Sequence, residues 1–159
     1  MAIYWRRPLT RLECALYASL VAVMIAVFLE RTLTYMELAE RVAVEVTVQH
    51  VNAALQIQRA AEMLQGRSLD APKTLQSHPF AVARMRVENL HPDVAASDGL
   101  ADLERGYWVF ERSTKELIYL PQLHRHLQTE GPEIALRFHL VGGGSAPYVL
   151  VPASKYSWD

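Results

Sequence analysis

Residues 9–65 contain neither proline nor glycine. Both residues break or loosen helices, so their absence removes every strong local stop from a stretch rich in Ala, Leu, Glu, Gln, Met and Arg. One unbroken helix is permitted there. Cysteine is almost missing as well: Cys14 is the single one among 159 residues, which excludes an internal disulfide and a cysteine-built metal cluster. Charge of one sign is not in excess, with 16 Lys and Arg against 17 Asp and Glu, so no broad basic field is available to draw nucleic acid. A second long apolar run is lacking after Glu30, which limits the chain to at most one helical membrane span.

What is present begins with that one run. From Leu12 the chain reads LECALYASLVAVMIAVFL, and no residue between Glu13 and Glu30 is charged. That is close to the shortest length able to cross a hydrocarbon layer roughly 30 Å thick. A buried core helix and the apolar part of a cleaved secretory signal are the plainer readings of such a run. The flanks speak against the second, because ERTLTYMELAER follows directly with no small-residue cleavage pattern and the helical texture continues. Arg6, Arg7 and Arg11 precede the run, while acidic and basic residues are mixed after it. The basic bias places the N-terminus in the cytoplasm and everything after about Glu30 on the export side.

The exported half of the helix carries apolar residues at three- and four-residue steps, at Leu38, Val42, Val46, Ala53, Ile57, Ala60 and Leu64, with Val44, Val48, Val51 and Leu55 widening the stripe. Val42, Val44, Val46 and Val48 alternate with period two, which is a strand signal, but both flanks are helical and helix is the expectation. After Gly66 the texture changes, and Pro and Gly cut the chain into short pieces. Strands are predicted over 107–112, 116–120, 134–141 and 147–151, with Ser113, Thr114 and Lys115 turning the first pair into a hairpin. A four-stranded antiparallel meander follows. A small sheet alone is marginal, so the helix stripe is its expected cover. The predicted fold class is α+β. It is divided into a short leader-like segment at 1–8, a membrane-spanning half-helix at 9–30, an amphipathic half at 31–65 and a small β domain at 66–159.

PLTRLECALYASLVAVMIAVFL resembles the start of type IV pilins and type II secretion pseudopilins: a small residue at the cleavage point, then Phe-Thr-Leu-Ile-Glu and a long apolar helix. The matching residues are Leu9, Thr10, Leu12 and Glu13, with Arg11 foreign to the pattern. GYWVFERSTKELIYLPQ is similar to a hairpin of small pseudopilin-like proteins associated with mannose-sensitive haemagglutinin pilus biogenesis. The resemblance implies a pilin-like fold and a non-enzymatic subunit, anchored in a bacterial inner membrane with its C-terminal domain in the periplasm. It also implies assembly with other pilin or pseudopilin subunits and processing by a prepilin peptidase. By position, the cleavage point falls between Pro8 and Leu9, Leu9 and Thr10 begin the mature chain, and Glu13 is the glutamate that pairs with a neighbouring subunit's N-terminal amine. Pro8 stands where the peptidase normally meets glycine, which puts cleavage in question. The alternative is therefore an uncleaved bitopic assembly factor whose exported domain binds a pilin or secretion partner. On position alone, Glu13 also fits a carboxylate at headgroup level, satisfied by water or by Arg6, Arg7 or Arg11.

Other candidate constellations are weaker. His124 and His126 flank Arg125 and would share a strand face as a metal pair, but a solvated loop explains them as well and no cysteine or nearby carboxylate completes a site. Gly142, Gly143, Gly144 and Ser145 lead into Pro147 and a strand, so a hairpin turn is expected and a phosphate loop is not. Tyr107, Trp108 and Phe110 read as sheet packing. No Gly-x-Ser-x-Gly elbow accompanies the Ser, His and Asp residues, so neither a hydrolase nor another enzyme is expected, and no cofactor or metal is assigned.

Overall fold

The computed structural model describes residues 10–65, 74–96, 100, 103–130, 134–143 and 146–158. The chain divides into two compact units, Met1–Leu38 and Ala39–Asp159. Helix α1 runs unbroken from Arg11–Leu64 through both. This is the helix expected from the missing prolines and glycines.

In the first unit α1 is uncharged from Cys14 to Leu29 and exposed throughout its most apolar window, with Leu16, Met24 and Phe28 each more than 60% accessible. A soluble core helix of this composition would be buried. The helix is long and apolar enough to cross a membrane. Its hydroxyls turn back onto the backbone, Ser19 Oγ donating to the Leu16 carbonyl and Thr32 Oγ1 to the Phe28 carbonyl, both at 2.8 Å. Such bonds satisfy hydroxyl groups where water is scarce.

The second unit is built on a four-stranded antiparallel sheet: β1 (Tyr107–Glu111), β2 (Glu116–Leu120), β4 (Leu136–Gly143) and β5 (Ala146–Pro152), in the spatial order β1-β2-β4-β5. These are the four predicted strands, and consecutive members pair as a meander. Between β2 and β4 lies β3 (Leu127–Thr129), which pairs antiparallel with the C-terminal β6 (Tyr156–Trp158) in a separate two-stranded sheet. Three-residue strands carry too little alternation to be seen in a sequence. A four-residue helix, α2 (Pro79–Val82), precedes β1. The sheet fold is α+β, as expected.

Alternation along the strands sends Trp108, Leu117, Tyr119, Leu136, Phe138, Leu140, Tyr148 and Leu150 to one face. There they pack with Val44, Val51 and Leu55 of α1. Trp108 is the hub, with ring centroids 5.6 Å from Phe80, 4.9 Å from Tyr119 and 5.8 Å from Phe138. On the opposite face Val109, Ile118 and Leu120 are covered by Leu100 and Ala135, with Val94 and Leu103 packed against them. The sheet is thus buried on both sides near β1 and β2.

The helix covers the sheet with a different stripe from the leading one. Val44, Val48, Val51 and Leu55 face the sheet, whereas Val42, Val46, Ala53, Ile57, Ala60 and Leu64 are exposed. At 100° per residue the two sets lie about 180° apart. The period-two valine run has the same origin: residues two apart on a helix are about 200° apart, so Val42 and Val46 point out while Val44 and Val48 point in. Alternation here marks a helix with two opposite apolar faces.

Candidate functional site

The assembly residues expected at the N-terminal end are only partly within view. Pro8 and Leu9 lie outside the described residues. Thr10 and Glu13 form a reciprocal cap on α1. Glu13 Oε2 accepts from the Thr10 N–H at 2.7 Å and from Thr10 Oγ1 at 3.0 Å, and the Glu13 N–H donates to Thr10 Oγ1 at 3.3 Å. This is a capping box, whose Thr-x-x-Glu spacing is present in the sequence. The carboxylate therefore has a partner within its own chain, three residues away. Both residues remain exposed.

In the second unit a different carboxylate is the organising group. Glu40 Oε1 accepts from Tyr119 Oη at 2.8 Å and from the Gln122 N–H at 2.6 Å, and Glu40 Oε2 accepts from the Leu123 N–H at 2.9 Å. One helix side chain thus ties α1 to the end of β2 and to the loop that follows it. Burial first, and then the hydrogen bond to Glu40, push the Tyr119 hydroxyl well above the usual tyrosine range. A little over three turns along the helix, Asn52 grips β5: its Nδ2 donates to the Leu150 carbonyl at 3.3 Å and its Oδ1 accepts the Leu150 N–H at 2.7 Å. Arg59 Nη1 donates to the Ala146 carbonyl of the same strand. The outer edge of β5 is occupied by helix side chains, and Pro152 brings no N–H to it.

The other edge is closed by main chain. The Trp108 N–H donates to the Asn89 carbonyl and the His91 N–H to the Trp108 carbonyl, both at 2.8 Å. The Val94 N–H donates to the Phe110 carbonyl at 3.0 Å. Residues 89–95 thus run parallel to β1, with isolated bridges at Leu90 and Val94. Sequence reasoning missed Glu40 and Asn52 because it merged the two opposite rows into one wide stripe. Had Val44, Val51 and Leu55 been taken as the inner face, Glu40 and Asn52 would have stood out as polar residues flanking it.

A second polar cluster crosses three strands. Arg137 Nη1 donates to Glu111 Oε2 and Glu116 Oε2, each at 3.1 Å, and Ser113 Oγ donates to Glu111 Oε1 at 2.6 Å. Glu111 is 1% exposed, so its charge requires these partners, and the cluster ties β1, β2 and β4 together. Near the C-terminal end of α1, Ala54, Ile57, Ala61, Gln58, Glu62 and Arg84 border a shallow groove of about 380 Å³.

Among the described residues no three His, Cys, Asp or Glu side chains converge as a metal site, so His124 and His126 gain no further ligand. Gly142 and Gly143 have φ of 123° and 114° where the pairing register of β4 with β5 shifts as a bulge. Both glycines belong to the end of β4, Gly143 pairing with Ala146, and Gly144 and Ser145, where the hairpin turn was expected, lie outside the described residues. Tyr107, Trp108 and Phe110 sit in β1, the last two buried in packing. No family model, no curated protein and no solved structure matches the chain.

Proposed function

We propose that the chain is a non-enzymatic pilin-like or pseudopilin-like subunit, held in a bacterial inner membrane by the first half of α1 and assembled with other subunits of a type IV pilus or type II secretion pseudopilus. The observation that carries this reading is the second apolar face of α1. Val42, Val46, Ile57 and Leu64 are 47%, 38%, 70% and 89% exposed on a helix whose opposite face is already committed to the sheet. A solitary soluble domain has no use for such a row, whereas a helix packed laterally among other helices does. The occupied sheet edges support the same reading, because strand addition is hindered there and the helix is left as the associating element. The arginines before Leu12 orient the span with the C-terminal domain in the periplasm.

The uncleaved assembly factor is the second reading, and Pro8 before Leu9 is the feature that favours it. The two part at the N-terminal residue of membrane-extracted protein produced alongside a prepilin peptidase, read by mass spectrometry. A mature terminus at Leu9 selects the subunit; retention of Met1 selects the assembly factor. For subunit association, cysteine at Ile57 in a Cys14→Ser background is expected to cross-link to co-produced pilins. Absence of cross-linking, with wild-type pilus or secretion output from Ile57→Asp, would defeat the reading. Glu13→Ala and Glu13→Gln address the intermolecular role: wild-type output from both leaves Glu13 as a helix cap only.

A further inference from the structure

We propose that His78 is a pH-operated latch on α2, in which protonation of the ring breaks the helix cap and frees the Phe80 N–H. His78 occupies the N-cap of α2, and its Nδ1 accepts the Phe80 N–H at 3.2 Å. An acceptor nitrogen bears no proton, so the ring is neutral with its hydrogen on Nε2. The ring lies between two aromatic neighbours, its centroid 4.8 Å from Phe110 and 5.6 Å from Phe80. Nε2 is buried without a hydrogen-bond partner. Asp93 Oδ1 stands 3.7 Å from Nε2, too far for a hydrogen bond. Asp93 comes from the segment beside β1, and its Oδ2 is held by Arg112 at 3.2 Å. Its two aromatic neighbours, Phe80 of α2 and Phe110 of β1, carry no charge. Among the described residues, Asp93, itself paired with Arg112, is the charged group that bears on the ring.

Protonation changes this arrangement at one atom. Once Nδ1 carries a proton it opposes the Phe80 N–H donor to donor, so the cap is lost. The imidazolium cannot stay between two phenyl rings at no cost, and Asp93 stands within a small rotation of its Nε2–H. The ring swings toward that carboxylate. Phe80, 1% exposed and edge-on to Trp108, loses the bond at its N–H while its carbonyl keeps the Met85 N–H at 2.9 Å. Burial, the larger influence, and the opposing attraction of Asp93 leave His78 titrating below its ordinary value of 6.5. The latch is therefore shut at neutral pH and opens in acid.

The test uses the full chain in detergent micelles. Ring ¹⁵N shifts of His78 give its tautomer and titration, and hydrogen exchange at the Phe80 amide gives the cap. The expected result is an Nε2–H tautomer at neutral pH and a roughly tenfold loss of Phe80 protection once the ring is protonated, after correction for intrinsic exchange. His78→Asn keeps a capping acceptor and cannot take the proton, so its Phe80 protection is expected to stay level. Asp93→Asn removes the attraction and is expected to move the His78 midpoint to lower pH. An Nδ1–H tautomer at neutral pH, or Phe80 protection independent of pH in the wild type, would overturn the latch. So would an equal acid loss in His78→Asn. If that variant does not fold, an Asp93→Asn midpoint that is unmoved or raised does so instead.

Discussion

Removing the Glu40 carboxylate is the most informative single perturbation of the domain. It accepts three hydrogen bonds between 2.6 and 2.9 Å, from Tyr119 Oη and the Gln122 and Leu123 N–H groups. A hydrogen bond to a charged group contributes about 1.5 to 3 kcal/mol, but bonds to one carboxylate are not additive and the Gln122 bond is exposed, which lowers the sum. Glu40→Ala is therefore expected to cost roughly 2 to 4 kcal/mol, because it also strands the Leu123 N–H and the Tyr119 hydroxyl in partly buried positions. Glu40→Gln retains one acceptor but turns an amide NH₂ toward an N–H donor, so it recovers only part of the loss. Tyr119→Phe should cost about 1 kcal/mol, and the double variant should show coupling of about 1 kcal/mol. The assay is urea unfolding of the full chain in micelles, followed by tryptophan fluorescence. The pH dependence has a definite sign. The Tyr119 pKa is raised in the folded state, so its contribution is complete below the unfolded value of about 10 and is lost as pH climbs above it. Tyr119→Phe should flatten that alkaline fall. Stability of Glu40→Ala within about 0.5 kcal/mol of wild type would refute the reasoning, since it would mean that water replaces all three bonds equally well.

The face assignment of α1 is checked by Leu55→Ala, expected to lose about 2 to 5 kcal/mol, against Ile57→Ala, expected within about 0.5 kcal/mol, by the same unfolding measurement. Gly142→Ala should abolish folding or cost more than about 3 kcal/mol, because a Cβ there would lie 2.2 Å from the Pro147 carbonyl oxygen. Gly106→Ala, with φ of 88° and its nearest side-chain atom 3.7 Å away, should cost only the left-handed strain of about 1 to 2 kcal/mol, and the contrast is read from urea midpoints. Asn52→Ala bares the N–H and carbonyl of Leu150 on β5, and is expected to cost about 1 to 3 kcal/mol and to raise self-association in analytical ultracentrifugation.

The sequence by itself determined the long helix, its membrane-compatible half and the four strands of the meander. These features rest on local rules: the absence of helix breakers over 9–65, an uncharged run after Glu13, and β-rich segments bounded by turn residues. The Thr10–Glu13 cap is equally local, written as Thr-x-x-Glu. Which face of α1 meets the sheet was not decided there. Both faces of the exported half are apolar, so periodicity alone could not rank Val42, Val46 and Ile57 against Val44, Val51 and Leu55. The choice belongs to residues far away in sequence, namely Trp108, Phe138 and Leu150, which receive the inner row. For the same reason the polar ties of the helix came only with the tertiary structure. Glu40 reaches Leu123 across 83 residues and Asn52 reaches Leu150 across 98. The small β3–β6 sheet likewise exists because packing brings two three-residue segments together, neither long enough to announce itself. A side chain's role at such distances is set by what the fold places opposite it, and no local pattern carries that information.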